Sequence, residues 1–265
     1  MMLSWLKGQI SSLLVSYLTT PVKKYESFSV SSYDSLYATL KPCDVLLVEG
    51  DQRFSVAVKY LTQSTWSHAA MFVGDLPDKH DKNTKLPMLI DADLKNGVRL
   101  VHLSHYEGFN PRICRPVGLK DEDLKNVINF MLESIGLGYD LKNVIDLARY
   151  LIPTPPVPVR FRRSMLTFGS GDPTRVICST RIAQAFQSVK YPILPKKCET
   201  DECRNWIEKI FQIRHHSLFV PRDYDLSPYF EIIKPTIEKG FDYKSLVWSD
   251  DKSLPFNREG SLASH

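Results

Sequence analysis

Apolar residues along the chain change their period from segment to segment, and the change predicts the elements. Leu3, Leu6, Ile10, Leu13, Leu14 and Tyr17 recur at steps of three and four, which predicts an amphipathic helix over residues 3–18. Val45, Leu46, Leu47 and Val48 are rich in β-formers and bounded by Pro42 and Gly50, as a buried strand would be. Residues 55–61 read as a short helix. Apolar runs at 69–74, 88–92, 98–101 and 112–114 follow at intervals of about 8 to 20 residues, the pattern of an antiparallel meander, with a charged hairpin tip at 79–85. Helices are predicted over 120–135, with Leu124, Val127, Ile128, Met131 and Ile135 on one face, and over 141–151. The prolines of 153–158 impose an extended connection. A helix resumes over 177–186 and a shorter one includes 207–211, while Pro221, Pro228 and Pro235 make 217–237 extended and irregular.

No internal repeat breaks this order, so the expected fold class is α+β, an antiparallel sheet or small barrel packed against helices. It divides into an N-terminal helix (1–26), a main domain (27–216) and a C-terminal tail (217–265) wrapping that domain. With 265 residues, 43% of them hydrophobic and 24% charged, the chain can bury a sizeable core. Its 34 basic against 30 acidic residues leave a net charge of +4, too weak and dispersed to suggest a nucleic-acid partner.

No apolar run approaches the roughly 20 residues that cross a bilayer. Gly8, Gln9, Ser11 and Ser12 interrupt the first apolar segment, so it reads as a retained helix and not as a cleavable signal. Two readings stay open. Its apolar stripe packs on the domain, or it makes weak contact with a membrane surface through residues 3–18. Trp5, the basic Lys7, Lys23 and Lys24 and the absence of any acid before Glu26 favour the second. The expected location is cytoplasmic or peripheral to a membrane.

Five cysteines at irregular spacing suit reduced thiols better than a disulfide framework. Cys198 and Cys203, with only His215 and His216 nearby, fall short of a zinc signature, and no Gly-rich phosphate loop occurs. No metal and no cofactor are therefore expected, and the oligomeric state is not legible.

Chemistry concentrates at three places. Cys178 begins a strongly apolar helix after the turn-prone residues 169–173, where the helix dipole and free backbone N–H groups lower a thiol's pKa. His68 opens the strand after Trp66 and Ser67, and Asp91 ends the apolar run 88–90. A thiolate nucleophile needs an imidazole within reach and a polar group to orient that imidazole, which His68 and Asp91 would supply. Taken singly, each has a plain structural role: a buried thiol, a hydrogen-bonded strand histidine, a turn acid.

Together the runs 42–50, 61–74, 89–92 and 177–180 resemble the circularly permuted NlpC/P60 papain-like hydrolases, closest to the YiiX/YaeF/YebB-like, or lipo-like, group. The resemblance spans roughly residues 40 to 195. It rests on the order strand, histidine, acid, cysteine, whereas ordinary papain-like enzymes place the cysteine first. It implies a permuted papain-like fold with Cys178 as nucleophile at a helix N-terminus, His68 as general base and Asp91 as the third, polar member. The family usually has glutamate there, so the shorter aspartate is a departure, and Asp93 is the reserve. Cys43 stands where the family usually has glycine and is expected to be structural.

The activity implied is thiol-dependent hydrolysis or acyl transfer, on a peptide amide or an ester, through a thioester acyl-enzyme. The Cys178 backbone N–H is the first candidate oxyanion donor. Tyr139, Ser67 and Ser179 are candidates for the oxyanion or for positioning substrate, with a core role for Tyr139 as its alternative. Arg160, Arg162, Arg163 and Arg175 precede the nucleophile and form either a site for an anionic group or a solvated basic loop. With the N-terminal helix they point toward a lipid-linked acyl or peptide substrate. The competing reading is a non-catalytic module of the same fold that binds lipid or peptide at the membrane surface.

Overall fold

In the computed structural model the described residues are 16–21, 31–78, 81, 83–93, 96–138, 178–197, 211–212, 214–238, 240, 242 and 244. The meander expected from the apolar runs is present: β1 (Val45–Glu49), β2 (His68–Pro77), β3 (Lys85–Asp93), β4 (Gly97–His102) and β5 (Asn110–Pro116). They pair antiparallel with β8 (Phe230–Ile233) into an open six-stranded sheet of order β4-β3-β2-β1-β5-β8. The sheet has two edges, so of the sheet and the barrel expected, the open sheet is found.

Alternation splits the strands' side chains between two apolar layers, because successive residues of a strand face opposite sides. Val45, Leu47, Ala69, Met71, Ile90 and Ala92 pack with the helices α3 (Asp121–Leu132) and α4 (Cys178–Ser188). Leu46, Val48, Ala70, Phe72 and Leu89 pack on the other side, under α1 (Tyr33–Thr39) and the 3₁₀ turn Leu103–Tyr106. Helix α2 (Arg53–Thr62) lies between β1 and β2 in the chain. Helix α4 is buried along nearly its whole length, from Cys178 to Phe186, so the segment carrying the candidate nucleophile is also core.

Several elements depart from expectation. Helix α1 falls in a polar Ser/Tyr stretch with no apolar run. Ser32 caps it, accepting from the Ser35 N–H at 3.3 Å, and burial of Leu36 holds it. Helix α3 ends at Leu132, and Ile135, expected on its buried face, lies beyond it and 44% exposed. Phe211 belongs to the short strand β7 (Phe211–Gln212), paired with β6 (Lys196–Lys197), and not to a helix.

The segment 217–237 contains a helix, α5 (Pro221–Asp225), the edge strand β8 and a last turn of helix, α6 (Pro235–Glu238). Pro221 occupies the first turn of α5, where a missing N–H costs nothing, so it starts structure here instead of breaking it. Phe230 and Ile233 are buried where β8 joins β5. The helix expected over 141–151 and the proline connection 153–158 lie outside the described residues.

Residues 16–18 are helical, but they bury Leu18 (1% exposed) and expose Tyr17 (52%), the residue expected on the apolar stripe. The Arg53 guanidinium stacks 4.0 Å over the Tyr17 ring, and Pro21 bridges to Gln52, so this stretch is docked on the start of α2. Leu18→Ala is expected to cost about 2 to 4 kcal/mol and Tyr17→Ala less than about 1, read from urea midpoints. Deleting residues 1–20 should therefore lower the midpoint, because the deletion removes a fully buried leucine.

Candidate active site

The start of β2 and the start of α4 meet. The Cys178 sulfur lies near His68 and near the N–H groups of Ala69, next to His68 on β2, and Ser179, close enough for all three to act on its pKa. Burial alone would push the Cys178 thiol upward, but the His68 charge, its hydrogen bond and these N–H donors outweigh it and lower the pKa. Cys43 and Cys114 have no such partner. Burial and the Asp44 charge push Cys43 up to about 12, and burial pushes Cys114 up further.

Cys43 also explains a sequence oddity: its φ of +73° lies in the left-handed region, the conformation that glycine adopts without strain. It fills that turn with a buried sulfur, donating to the Leu124 carbonyl at 3.5 Å, and so has a structural role.

The Met71↔Ile90 register, continued toward the start of β2, sets His68 opposite Asp93, with Asp91 one pleat away on the same face. Asp91 is the one in reach: its Oδ2 is 3.5 Å from His68 Nε2. Asp93 turns instead to Arg99 Nη1 at 2.8 Å and to Asn96. Arg99 stands directly across from Asp91 on β4 and binds both carboxylates.

Asp91 is 3% exposed and has several partners besides His68. Arg99 donates to it twice, Nε to Oδ1 at 2.9 Å and Nη2 to Oδ2 at 3.3 Å. The Tyr106 hydroxyl donates to Oδ2 at 2.8 Å and sits 3.3 Å from His68 Nε2. A hydroxyl has one proton, and Asp91 receives it, so toward His68 the Tyr106 oxygen can only accept. Nε2 therefore carries a proton shared between Asp91 and Tyr106, which leaves Nδ1 as the nitrogen facing the thiol.

Burial would lower the His68 pKa and raise that of Asp91. The Cys178 and Asp91 charges reverse the first, and His68 and Arg99 reverse the second, holding the carboxyl below the usual carboxylate range. Linkage gives the two shifts opposite signs. Stability from Asp91 is present above its unfolded value near ~3.9 and is lost as pH falls through the lower folded value. Stability from His68 is present below about 6.5 and is lost as pH rises through its raised folded value.

Tyr106 and Arg99 were not among the residues singled out from the sequence. The strand run at 98–101 held a usable signal, because an arginine at its second position falls directly opposite Asp91 once the hairpin register is drawn. Tyr106 lies on a 3₁₀ turn with no periodic pattern to mark it.

Ser67 and Ser179 are turned to the scaffold. Ser67 Oγ accepts from the Gly50 N–H at 2.9 Å, and a side chain on Gly50 would strike Ser55 and Ser67, so the approach requires glycine. Ser179 Oγ donates to the Phe219 carbonyl at 2.8 Å. Each hydroxyl thus satisfies a buried backbone group, and Ser67 also lines the cleft beside His68. Tyr139, Arg160, Arg162, Arg163 and Arg175 lie outside the described residues. So do Cys198 and Cys203.

His68 keeps 23% of its side chain exposed, and it opens on a cleft of about 340 Å³. Phe54 and Phe109 form apolar walls, and Asp51, Gln52 and Asn96 line polar ones. Among the described residues, no group of three or more His, Cys, Asp or Glu is placed to hold a metal ion, and no helix is long and apolar enough to cross a membrane.

No family model matches the sequence, and no curated protein does. Among solved structures the chain is similar to the crystal structure of the metalloprotein yiiX from Escherichia coli O157:H7. The TM-score is 0.45 at 15% identity, covering 73% of this chain and 96% of that one.

Iodoacetamide in mildly acidic buffer is expected to modify Cys178 ahead of Cys43, Cys114, Cys198 and Cys203, as peptide mapping would read. Asp91→Asn leaves Arg99 short of its buried partner and should cost about 2 to 4 kcal/mol. It should also move Cys178 alkylation toward higher pH, since His68 loses the charge that keeps it protonated.

Proposed function

We propose that the chain is a thiol-dependent hydrolase or acyltransferase of the permuted papain-like type, with Cys178 as nucleophile, His68 as acid and base, and Asp91 orienting His68. The observation that carries this reading is the pairing of the Cys178 thiol, at the start of a helix, with the His68 imidazole, which lines a cleft. A buried thiol serving only as packing gains nothing from an imidazole and two backbone N–H donors, all of which favour its charged form.

Cys178 Sγ attacks the acyl carbon of an amide or ester, forming a C–S bond. The bond to the leaving nitrogen or oxygen breaks, and that atom takes the proton from His68 Nδ1. Neutral His68 then removes a proton from water or another acceptor as it attacks the thioester. The C–S bond breaks, the acyl product leaves, and the thiolate is restored beside the imidazolium. The backbone N–H groups of the first turn of α4, that of Cys178 first, are the candidate oxyanion donors.

An acyl-fluorophosphonate-type probe is unsuited to a thiol. A peptidyl or fatty-acyl chloromethyl ketone should alkylate Cys178 in the intact protein and leave Cys178→Ser unlabelled. His68→Gln is expected to slow labelling by about 10²-fold or more. A protein that binds lipid or peptide in the cleft while Cys178 stays unlabelled would be the binding module and not the enzyme.

Membrane contact is a separate proposal. Residues 3–18 and Lys7, Lys23 and Lys24 would give weak, salt-sensitive flotation with anionic liposomes, worth about 1 kcal/mol per lysine. Lys7→Glu/Lys23→Glu/Lys24→Glu should abolish flotation while leaving Leu18 in place. Equal flotation with neutral vesicles would contradict the electrostatic part.

A further inference from the structure

The carboxylate that orients His68 is not a free negative charge, and its pairing assigns a role to a residue outside the triad. Arg99 and His68 address the same oxygen: Asp91 Oδ2 lies 3.3 Å from Arg99 Nη2 and 3.5 Å from His68 Nε2. Arg99 Nε holds the other oxygen at 2.9 Å, so the guanidinium grips both. A planar guanidinium on a carboxylate makes a bidentate, nearly neutral unit.

The guanidinium is held on its far side as well, by Asp93 at 2.8 Å and by His105 Nε2 at 3.3 Å. Arginine can only donate, so His105 Nε2 accepts, and His105 is neutral in this arrangement. Arg99 is thus held from a second side, away from Asp91.

We propose that Arg99 is a positioning residue that offsets part of the Asp91 charge toward His68, so that the third member of the triad orients the ring without holding the imidazolium at full strength. The inference rests on the hydrolase reading above and adds to it. Its chemical reason is the two opposite duties of His68. As imidazolium it must give a proton to the leaving group, and as neutral imidazole it must take one from water. A bare buried carboxylate 3.5 Å away would hold the imidazolium and starve the second step. Partly offset by Arg99, Asp91 keeps its hold on the ring's orientation and holds the proton less firmly.

The groups facing His68 are Cys178 from α4, Asp91 and Asp93 from β3, Arg99 from β4, and Tyr106 and His105 from the 3₁₀ turn, with Asp51 across the cleft. Of these, Arg99 is the fixed cation bonded to the orienting carboxylate.

The test is a titration of the His68 ring by NMR on histidine-labelled full-length protein, with the signal assigned by its loss in His68→Gln. Arg99→Gln should raise the His68 pKa by about one unit, and Asp91→Asn should lower it. The double variant Asp91→Asn/Arg99→Gln, which puts a neutral amide in place of the ion pair, should return to within about half a unit of wild type. Arg99→Lys keeps the charge and should shift the ring less than Arg99→Gln does. If Arg99→Gln fails to fold, the difference between the double variant and Asp91→Asn alone measures the same effect. A purely structural Arg99 would give no opposite shifts and no return in the double variant, and that result overturns the proposal.

With p-nitrophenyl acetate as acyl donor, Arg99→Gln should keep the burst of p-nitrophenol and slow the steady rate about tenfold, because deacylation needs neutral His68. A lost burst with an unchanged steady rate would count against it. The titration needs no acyl chemistry, so a wild-type protein that never acylates on Cys178 overturns the hydrolase reading while the His68 shifts still decide the role of Arg99.

Discussion

The buried carboxylate of Asp91 is the constraint around which the site is arranged. A carboxylate 3% exposed on a sheet face would be expensive unless its charge were matched and its lone pairs used. Arg99 matches the charge, while Tyr106 and His68 take up the remaining acceptor capacity. Each partner comes from a different element, so the ion pair closes only when β2, β3, β4 and the 3₁₀ turn are in register. The sheet therefore positions the chemistry, and the chemistry's buried charge in turn penalises any slip of the sheet.

The thiol is placed by a second set of bonds that run to the C-terminal segment. The Tyr224 hydroxyl donates to the Ser179 carbonyl at 2.8 Å, and Ser179 Oγ donates to Phe219, so the first turn of α4 is clasped by residues 219–224. Asp225 accepts from Trp66 Nε1 at 3.2 Å and from Arg112 at 2.8 Å, which ties the same segment to the loop entering His68. The stretch after Val220 thus braces the segments that carry Cys178 and His68 at once.

How much of this was legible follows from the kind of signal each part carries. Strands β1 to β5 are short apolar runs whose alternation divides them between two layers, and that pattern survives in sequence because burial enforces it. Helix α4 was legible for the same reason. Helix α1 was not, since a cap and a single pair of buried residues hold it without an apolar run. The prolines near the C-terminus misled, because Pro221 starts a helix where a break was expected. Among site residues, Cys178, His68 and Asp91 stood out as polar groups in apolar settings. Arg99 did not, because its meaning lies in cross-strand register, and Tyr106 did not, because an aromatic residue in a turn usually serves packing. Ser67 and Ser179 were legible as neighbours of the site, but the direction of a hydroxyl depends on nearby backbone carbonyls and N–H groups that sequence order does not reveal.

The central claim is that Cys178 and His68 form a thiolate–imidazolium pair held by Asp91. Its most direct test is the ultraviolet thiolate absorbance of wild type minus that of Cys178→Ser, followed from acid to alkaline pH. The account expects a difference equal to one thiolate already present at about pH 6. A difference that appears only as pH passes about 8.5, the value of an ordinary thiol, would contradict it.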